Sequence, residues 1–181
     1  MSIRNTKITA YVATVLLVGL GPFAGTAFAA PAPGAEQQAS DRAAILNTVA
    51  GAVFAFDNGD GKAFASYFAP DGEFVVDDPA RPLDIKGTAA LAKIGEPPAG
   101  AAPAGAPPPP MGKHHHVVSN QYVSFKDATH ANFYGYYTLV VSEGGNVAVH
   151  DFGGYASSLV KIDGQWLFST DRVVFGPIKP N

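Results

Sequence analysis

The sequence predicts an α+β fold: three N-terminal helices packed on a strongly curved antiparallel sheet, forming a cone-like half barrel with one pocket. Three observations predict it. Between Ser40 and Lys93 the apolar residues recur mostly at helical spacing. After the proline-rich stretch that ends near Gly112, the pattern changes to that of strands and holds to Phe175. The four later runs, about 114–126, 131–142, 147–161 and 165–175, exceed the common strand of about five or six residues. Antiparallel strands of that length bend, and Gly135 and Gly153-Gly154 are natural kink points.

The elements follow in order. Ser40 is a good N-cap with Asp41 in the first turn. Ile45, Leu46, Val49, Val53 and Phe56 then form one apolar stripe. Asn58-Gly59 is a left-handed helix stop. A second helix is expected from Asp60 to about Tyr67, packing Phe64 and Phe68. Pro70-Asp71-Gly72 reads as a turn, Glu73–Val76 as a strand, Leu83–Lys86 as its hairpin partner and Thr88–Lys93 as a third helix. The joints of the later strands are Lys126-Asp127-Ala128, Ser142–Asn146 and Asp163-Gly164, all turn chemistry.

The remaining segments do not belong to that core. Arg4 and Lys7 precede an apolar run from Ile8 to Leu20, and Ala27-Phe28-Ala29 follows. This is the pattern of a secretory signal peptide over residues 1–29, cleaved after Ala29. The apolar run is too short for a span of roughly 20 residues. A periplasmic or secreted location is therefore expected, with no membrane attachment after cleavage. Residues 30–39 read as a disordered lead-in, residues 40–175 as one domain and residues 176–181 as a tail. Seven of the 15 prolines lie within Pro97–Pro110, so the stretch 95–112 is an Ala/Pro/Gly-rich loop interrupting the domain, not a core segment.

Composition excludes several functions. The chain has 12 Lys+Arg against 15 Asp+Glu. Removing the leader takes Arg4 and Lys7 and no acid, leaving 10 against 15 and a net charge of −5. Such a chain is a poor nucleic-acid binder. With no cysteine there is no disulfide, thiolate nucleophile or cysteine-held metal. No phosphate-binding loop, dinucleotide motif or hydrolase triad spacing is present, and no cofactor is expected.

Ordered landmarks carry a resemblance. They are Phe54-Ala-Phe-Asp57-Asn-Gly-Asp60, then Phe64-Ala-Ser-Tyr-Phe68-Ala-Pro-Asp71-Gly72, then Lys86-Gly87, then His116-Val-Val-Ser-Asn120, and last Lys161-Ile-Asp-Gly-Gln-Trp166-Leu-Phe168. In that order and spacing, over about residues 40–175, the chain resembles the nuclear transport factor 2-like superfamily and, within it, the SnoaL-like group. Scytalone dehydratase and hexachlorocyclohexane dehydrochlorinase are similar in placing an aspartate at the end of the first helix and a histidine at the start of the first long strand. The resemblance implies that His116 takes a proton from substrate carbon while Asp57 orients it. It also implies a homodimer through the sheet. It moves Tyr137 and Tyr155 to the pocket, where the dehydratase has a histidine and an asparagine. Phe56 and Val76 stand where that enzyme has tyrosines, which argues against its own substrate. Arg172 lies one residue away from the dehydrochlorinase's strand arginine, and a one-residue offset reverses the face, so that role is not carried over.

The residues also speak for themselves. Asp57 continues the stripe of Leu46, Val49 and Val53, so its carboxylate points toward the core. It ends a helix, where the dipole disfavours negative charge, and so requires a partner. In a strand His114 and His116 share one face and His115 takes the other, so the three cannot converge on a metal and none is expected. His114 and His115 are expected at an exposed strand start. His116 shares its face with Tyr122 if no bulge intervenes. The substrate-binding candidates are thus Tyr122, Tyr137, Tyr155, Phe56 and Trp166, around a catalytic pair Asp57 and His116. Two readings stand: a lyase or isomerase acting on a small hydrophobic molecule by proton abstraction, and a non-catalytic pocket or protein-interaction domain.

Overall fold

The computed structural model describes residues 33–95 and 113–180. The expected leader with its cleavage point, and the proline-rich stretch from residue 96 on, lie outside the described residues. The elements are α1 (Pro33–Asp57), α2 (Gly61–Ala65), β1 (Phe68–Asp77), β2 (Leu83–Lys86), α3 (Thr88–Leu91), β3 (Lys113–Phe125), β4 (His130–Glu143), β5 (Asn146–Ile162) and β6 (Gln165–Val174).

The first helix starts seven residues before Ser40, so residues 33–39 are helical where a lead-in without structure was expected. Ala35, Glu36, Gln37, Gln38 and Ala39 are strong helix formers, and proline is tolerated in a first turn. At the other end Gly59 adopts φ +67 and stops the helix. Asp60 then caps α2, its carboxylate accepting from Ala63 N at 2.9 Å.

The six strands form one curved, unclosed sheet in the order β2-β1-β6-β5-β4-β3. The pairs β1·β2, β3·β4, β4·β5 and β5·β6 are antiparallel, but β1 and β6 run parallel. The sheet is therefore mixed, not antiparallel throughout. The three turns of the meander bring β6 back in the direction of β1, and no local sequence pattern reports a pairing across about a hundred residues. Pro70-Asp71-Gly72 does not end a strand. It forms a wide irregularity inside β1, where the register to β6 shifts between Phe68 and Glu73. Further register shifts fall in β3, β5 and β6, and these bulges bend the sheet.

The concave face holds α1. Ile45, Leu91, Phe133, Leu159 and Phe168 are fully buried there, each contributing roughly 1.5–3 kcal/mol by leaving water. The α1 helix is tied down by polar bonds. Asp41 accepts from Lys161 Nζ at 2.6 Å and from Trp166 Nε1 at 3.0 Å, and Thr48 Oγ1 donates to the Trp166 carbonyl at 2.7 Å. Burial pushes the Asp41 carboxyl up, but the bonds from Lys161 and Trp166 outweigh it and hold the group below its ordinary value.

Candidate active site

The tether at Asp41 fixes one end of α1, and the other end delivers Asp57 to the edge strand β3. There one carboxylate holds one histidine twice. His116 donates its backbone N–H to Asp57 Oδ2 at 2.9 Å, and its ring Nδ1 lies 2.6 Å from Asp57 Oδ1. The side chains are 14% and 5% exposed. A carboxylate accepts, so Nδ1 donates to it, and in the neutral ring Nε2 carries the lone pair. The edges of Phe56 and Tyr137 confine the ring, with centroids 5.7 and 5.4 Å away. His114 follows the same strand parity. It is half-buried rather than exposed, with Nε2 3.8 Å from Asp57 Oδ1, while His115 faces outward. Among the described residues no three His, Asp or Glu side chains gather into a metal-holding group.

The His116 ring lines a cavity of about 160 Å³ between α1 and the sheet. α1 contributes Val49, Ala52, Val53 and Phe56, α2 contributes Phe64, and β1 contributes Phe74 and Val76. The later strands add Phe133, Tyr137, Tyr155, Phe168, Asp171 and Val173, and Phe175 completes the lining. The wall is thus largely hydrocarbon, with a few polar groups aimed inward, as in a small-molecule site. Burial pushes the Tyr137 hydroxyl up to about 12, with Asp151 and Asp78 adding to the shift. Burial first, and then the nearby Asp171 carboxyl, push Tyr155 well above the ordinary phenol value. Both phenols stay protonated and can donate.

Of the residues the sequence offered for the pocket, Phe56, Tyr137 and Tyr155 line this cavity. Tyr122 does not. The register of β3 against β4 shifts between Ser119 and Tyr122, and Asn120 adopts φ +50. The extra residue reverses the parity, so Val123 points inward, and Tyr122 is 49% exposed and stacks on Tyr134. Trp166 is buried but does not line the cavity. It lies by the N-terminal half of α1, bonded to Asp41.

Asp171 was missed by the sequence reading. It lines the cavity at 5% exposure, and its oxygen Oδ1 accepts from Ser157 Oγ at 2.6 Å. A bulge puts it there. Leu159 pairs with Phe168 and Ser158 with Thr170, which leaves Ser169 as an extra residue in β6. Phe168 and Asp171 then share the inner face, and Arg172 turns outward to hold both oxygens of Asp77. One signal was available: Trp166, Phe168 and Val173 cannot all be inward-facing without such an insertion.

A family model described as "SnoaL-like domain" matches residues 37–172. No curated protein sequence matches the chain. Among solved structures, a protein of unknown function from Mycobacterium tuberculosis is 20% identical, with a TM-score of 0.65 over 81% of this chain and 78% of that one. An NTF2-like protein with a cystatin-like fold from Novosphingobium aromaticivorans is 16% identical, with a TM-score of 0.63 over 78% and 86%. LinA is 19% identical, with a TM-score of 0.61 over 81% and 93%. At these identities the likeness concerns the fold.

Proposed function

Because the chain belongs to the SnoaL-like domain family, whose fold often serves ligand binding or cofactor-independent isomerases and dehydratases, we propose that it is a cofactor-independent lyase or isomerase using His116 as base. The observation that carries this reading is the 2.6 Å bond between His116 Nδ1 and Asp57 Oδ1 at the wall of an apolar cavity. The carboxylate fixes the tautomer that presents Nε2 as acceptor, and it stabilises the imidazolium that forms when a carbon-bound proton is taken. The hydrocarbon wall excludes water and strengthens that pairing. The protonated phenols of Tyr137 and Tyr155 donate to oxygen on the substrate. The cavity is close in size to the engineered void of about 150 Å³ that takes up benzene, so the substrate is of that order.

The test is deuterium exchange into a panel of small carbon acids, followed by NMR. Wild-type protein is expected to exchange the α-protons of at least one of them, and His116→Ala to lose roughly 10²-fold or more. Retained exchange in His116→Ala removes the histidine as base. Saturable binding across the panel without exchange in the wild type supports the second reading, a non-catalytic binding domain, which the mostly apolar wall favours.

Two further properties belong to the same reading. The chain is exported, and N-terminal sequencing of secreted material should begin at Ala30. It pairs through its sheet, where β3, β4 and β5 expose Val117, Tyr136, Val149 and Phe152. A monomer at micromolar concentration in the ultracentrifuge would refute the pairing.

A further inference from the structure

The proposed mechanism leaves one buried titratable group of the pocket unused. Asp171 shares the cavity wall with His116, and among the described residues no cation pairs with it. Among the described residues the lining contains no Lys or Arg. Arg172, its chain neighbour, is turned away onto Asp77. The titratable groups around the cavity are His116 on β3 with its Asp57, Tyr137 on β4, and Tyr155 on β5, while α1, α2 and β1 present hydrocarbon to it. A carboxylate in such a place has no offsetting charge, whereas a carboxylic acid needs none.

The local bonds distinguish the two carboxyl oxygens. Ser157 Oγ lies 2.6 Å from Asp171 Oδ1 and accepts from the Arg172 N–H at 3.3 Å. With Oδ1 engaged by Ser157, Oδ2 is the oxygen available to a substrate, and the proposal places the acid proton there. Burial pushes this carboxyl up to about 6, against the opposing pull of the Ser157 bond.

We propose that Asp171 is a second catalytic residue of the pocket, one that offers its carboxyl O–H to the carbonyl oxygen of a neutral carbon acid while His116 takes the α-proton. The inference rests on the reading of His116 as base. In the step, the Cα–H bond breaks and its electron pair becomes the carbon–carbon double bond of an enol. The carbonyl π pair moves to oxygen, which takes the Oδ2 proton. An imidazolium at His116 and a carboxylate at Asp171 remain. Return of the proton from His116 to carbon, and of the enol hydrogen to Asp171, restores both groups, so nothing else is consumed. The substrate class follows. A wall without cations that ends in a carboxylic acid suits neutral ketones, aldehydes or esters and rejects carboxylate or phosphate substrates.

Cyclohexanone is the probe, since it is about the size of benzene and has a carbonyl beside exchangeable protons. Infrared spectroscopy of the bound ketone reads the hydrogen bond directly. At about pH 5 the carbonyl stretch is expected below its solution value in the wild type and in His116→Ala. In the wild type the shift should shrink as pH rises through about 6. In the near-isosteric Asp171→Asn, which does not titrate, it should be smaller and independent of pH. Exchange should fall roughly 10²-fold in Asp171→Asn and lose its decline at high pH. Failure of the ketone to bind, an unshifted carbonyl, or a pH-dependent shift that survives Asp171→Asn overturns the proposal. A shifted carbonyl that depends on Asp171, with no exchange in any variant, supports Asp171 as donor and instead removes His116 as base.

Discussion

Replacing Asp171 by Asn should make the protein more stable, and only above a definite pH. The group's ordinary value of 3.8 is raised to about 6 in the fold, chiefly by burial. Below 3.8 both the folded and the unfolded chain hold the proton. Between 3.8 and about 6 the folded chain keeps it while the unfolded chain has released it, so stability falls as pH rises, by up to about 1.4 kcal/mol for each pH unit. Above about 6 both are ionised, and the native state carries the whole burden of a buried, unpaired charge. The rise from 3.8 to about 6, at about 1.4 kcal/mol for each pH unit, amounts to about 3 kcal/mol. Asn is neutral throughout and can still accept the Ser157 hydroxyl. Asp171→Asn is thus expected to gain about 3 kcal/mol at about pH 8 and almost nothing at about pH 4. For a domain of this size that is roughly 10 °C in Tm at the higher pH. Urea melts of both proteins at the two pH values measure the difference. Equal differences at both pH values, or a less stable Asn variant at about pH 8, would refute the account of Asp171 as an acid held neutral by its surroundings.

Three other outcomes follow from the geometry. Asp57→Asn keeps the shape but replaces the acceptor at His116 Nδ1, so proton exchange should drop by roughly 10²-fold or more with little change in ligand affinity, read by NMR titration beside the rate. Asp41→Ala leaves the buried Trp166 N–H and the Lys161 ammonium without their acceptor and should cost about 1–3 kcal/mol, measured by urea unfolding followed through Trp166 fluorescence. Gly61→Ala would set a methyl group 2.5 Å from the carbonyl oxygens of Ala92 and Ile94, and backbone cannot step aside as a side chain can. A loss of about 1–3 kcal/mol in thermal stability is expected there.

Much of this fold was legible because its signals are local. The stripe from Ile45 to Phe56, the stop at Asn58-Gly59 and the turn at Asp163-Gly164 each depend on residues a few positions apart, and the four long strands begin and end within about a residue of where their turns put them. Asp57 and His116 were legible for a related reason: a helix end and a strand start, each on a known face, need only one packing event to meet. What escaped was parity. A strand reading alternates faces without interruption, and one inserted residue reverses everything beyond it. The insertion near Asn120 carried Tyr122 out of the pocket, and the insertion at Ser169 carried Asp171 into it. The parallel pairing of β1 with β6 escaped because it joins the two ends of the domain. Trp166 escaped because an indole N–H does not reveal from sequence that its acceptor is Asp41, 125 positions away.

The place of β6 in the sheet has a consequence for how the chain is made. The last of the described strands in chain order is not added at an edge; it slots between β5 and β1. Until Gln165–Val174 are available, β1 and β2 have no strand pairing that joins them to β3, β4 and β5. The α1 helix would keep the bond of Asp41 to Lys161 and those of Asp57 to His116, but it would lack the bonds that Trp166 makes with Asp41 and Thr48. A nascent chain short of that strand therefore lacks Phe168, Asp171 and Val173 of the pocket wall and exposes two unjoined sheet edges. Loss of the last 17 residues would divide the sheet in two, whereas loss of the six that follow Phe175 would leave every strand in place.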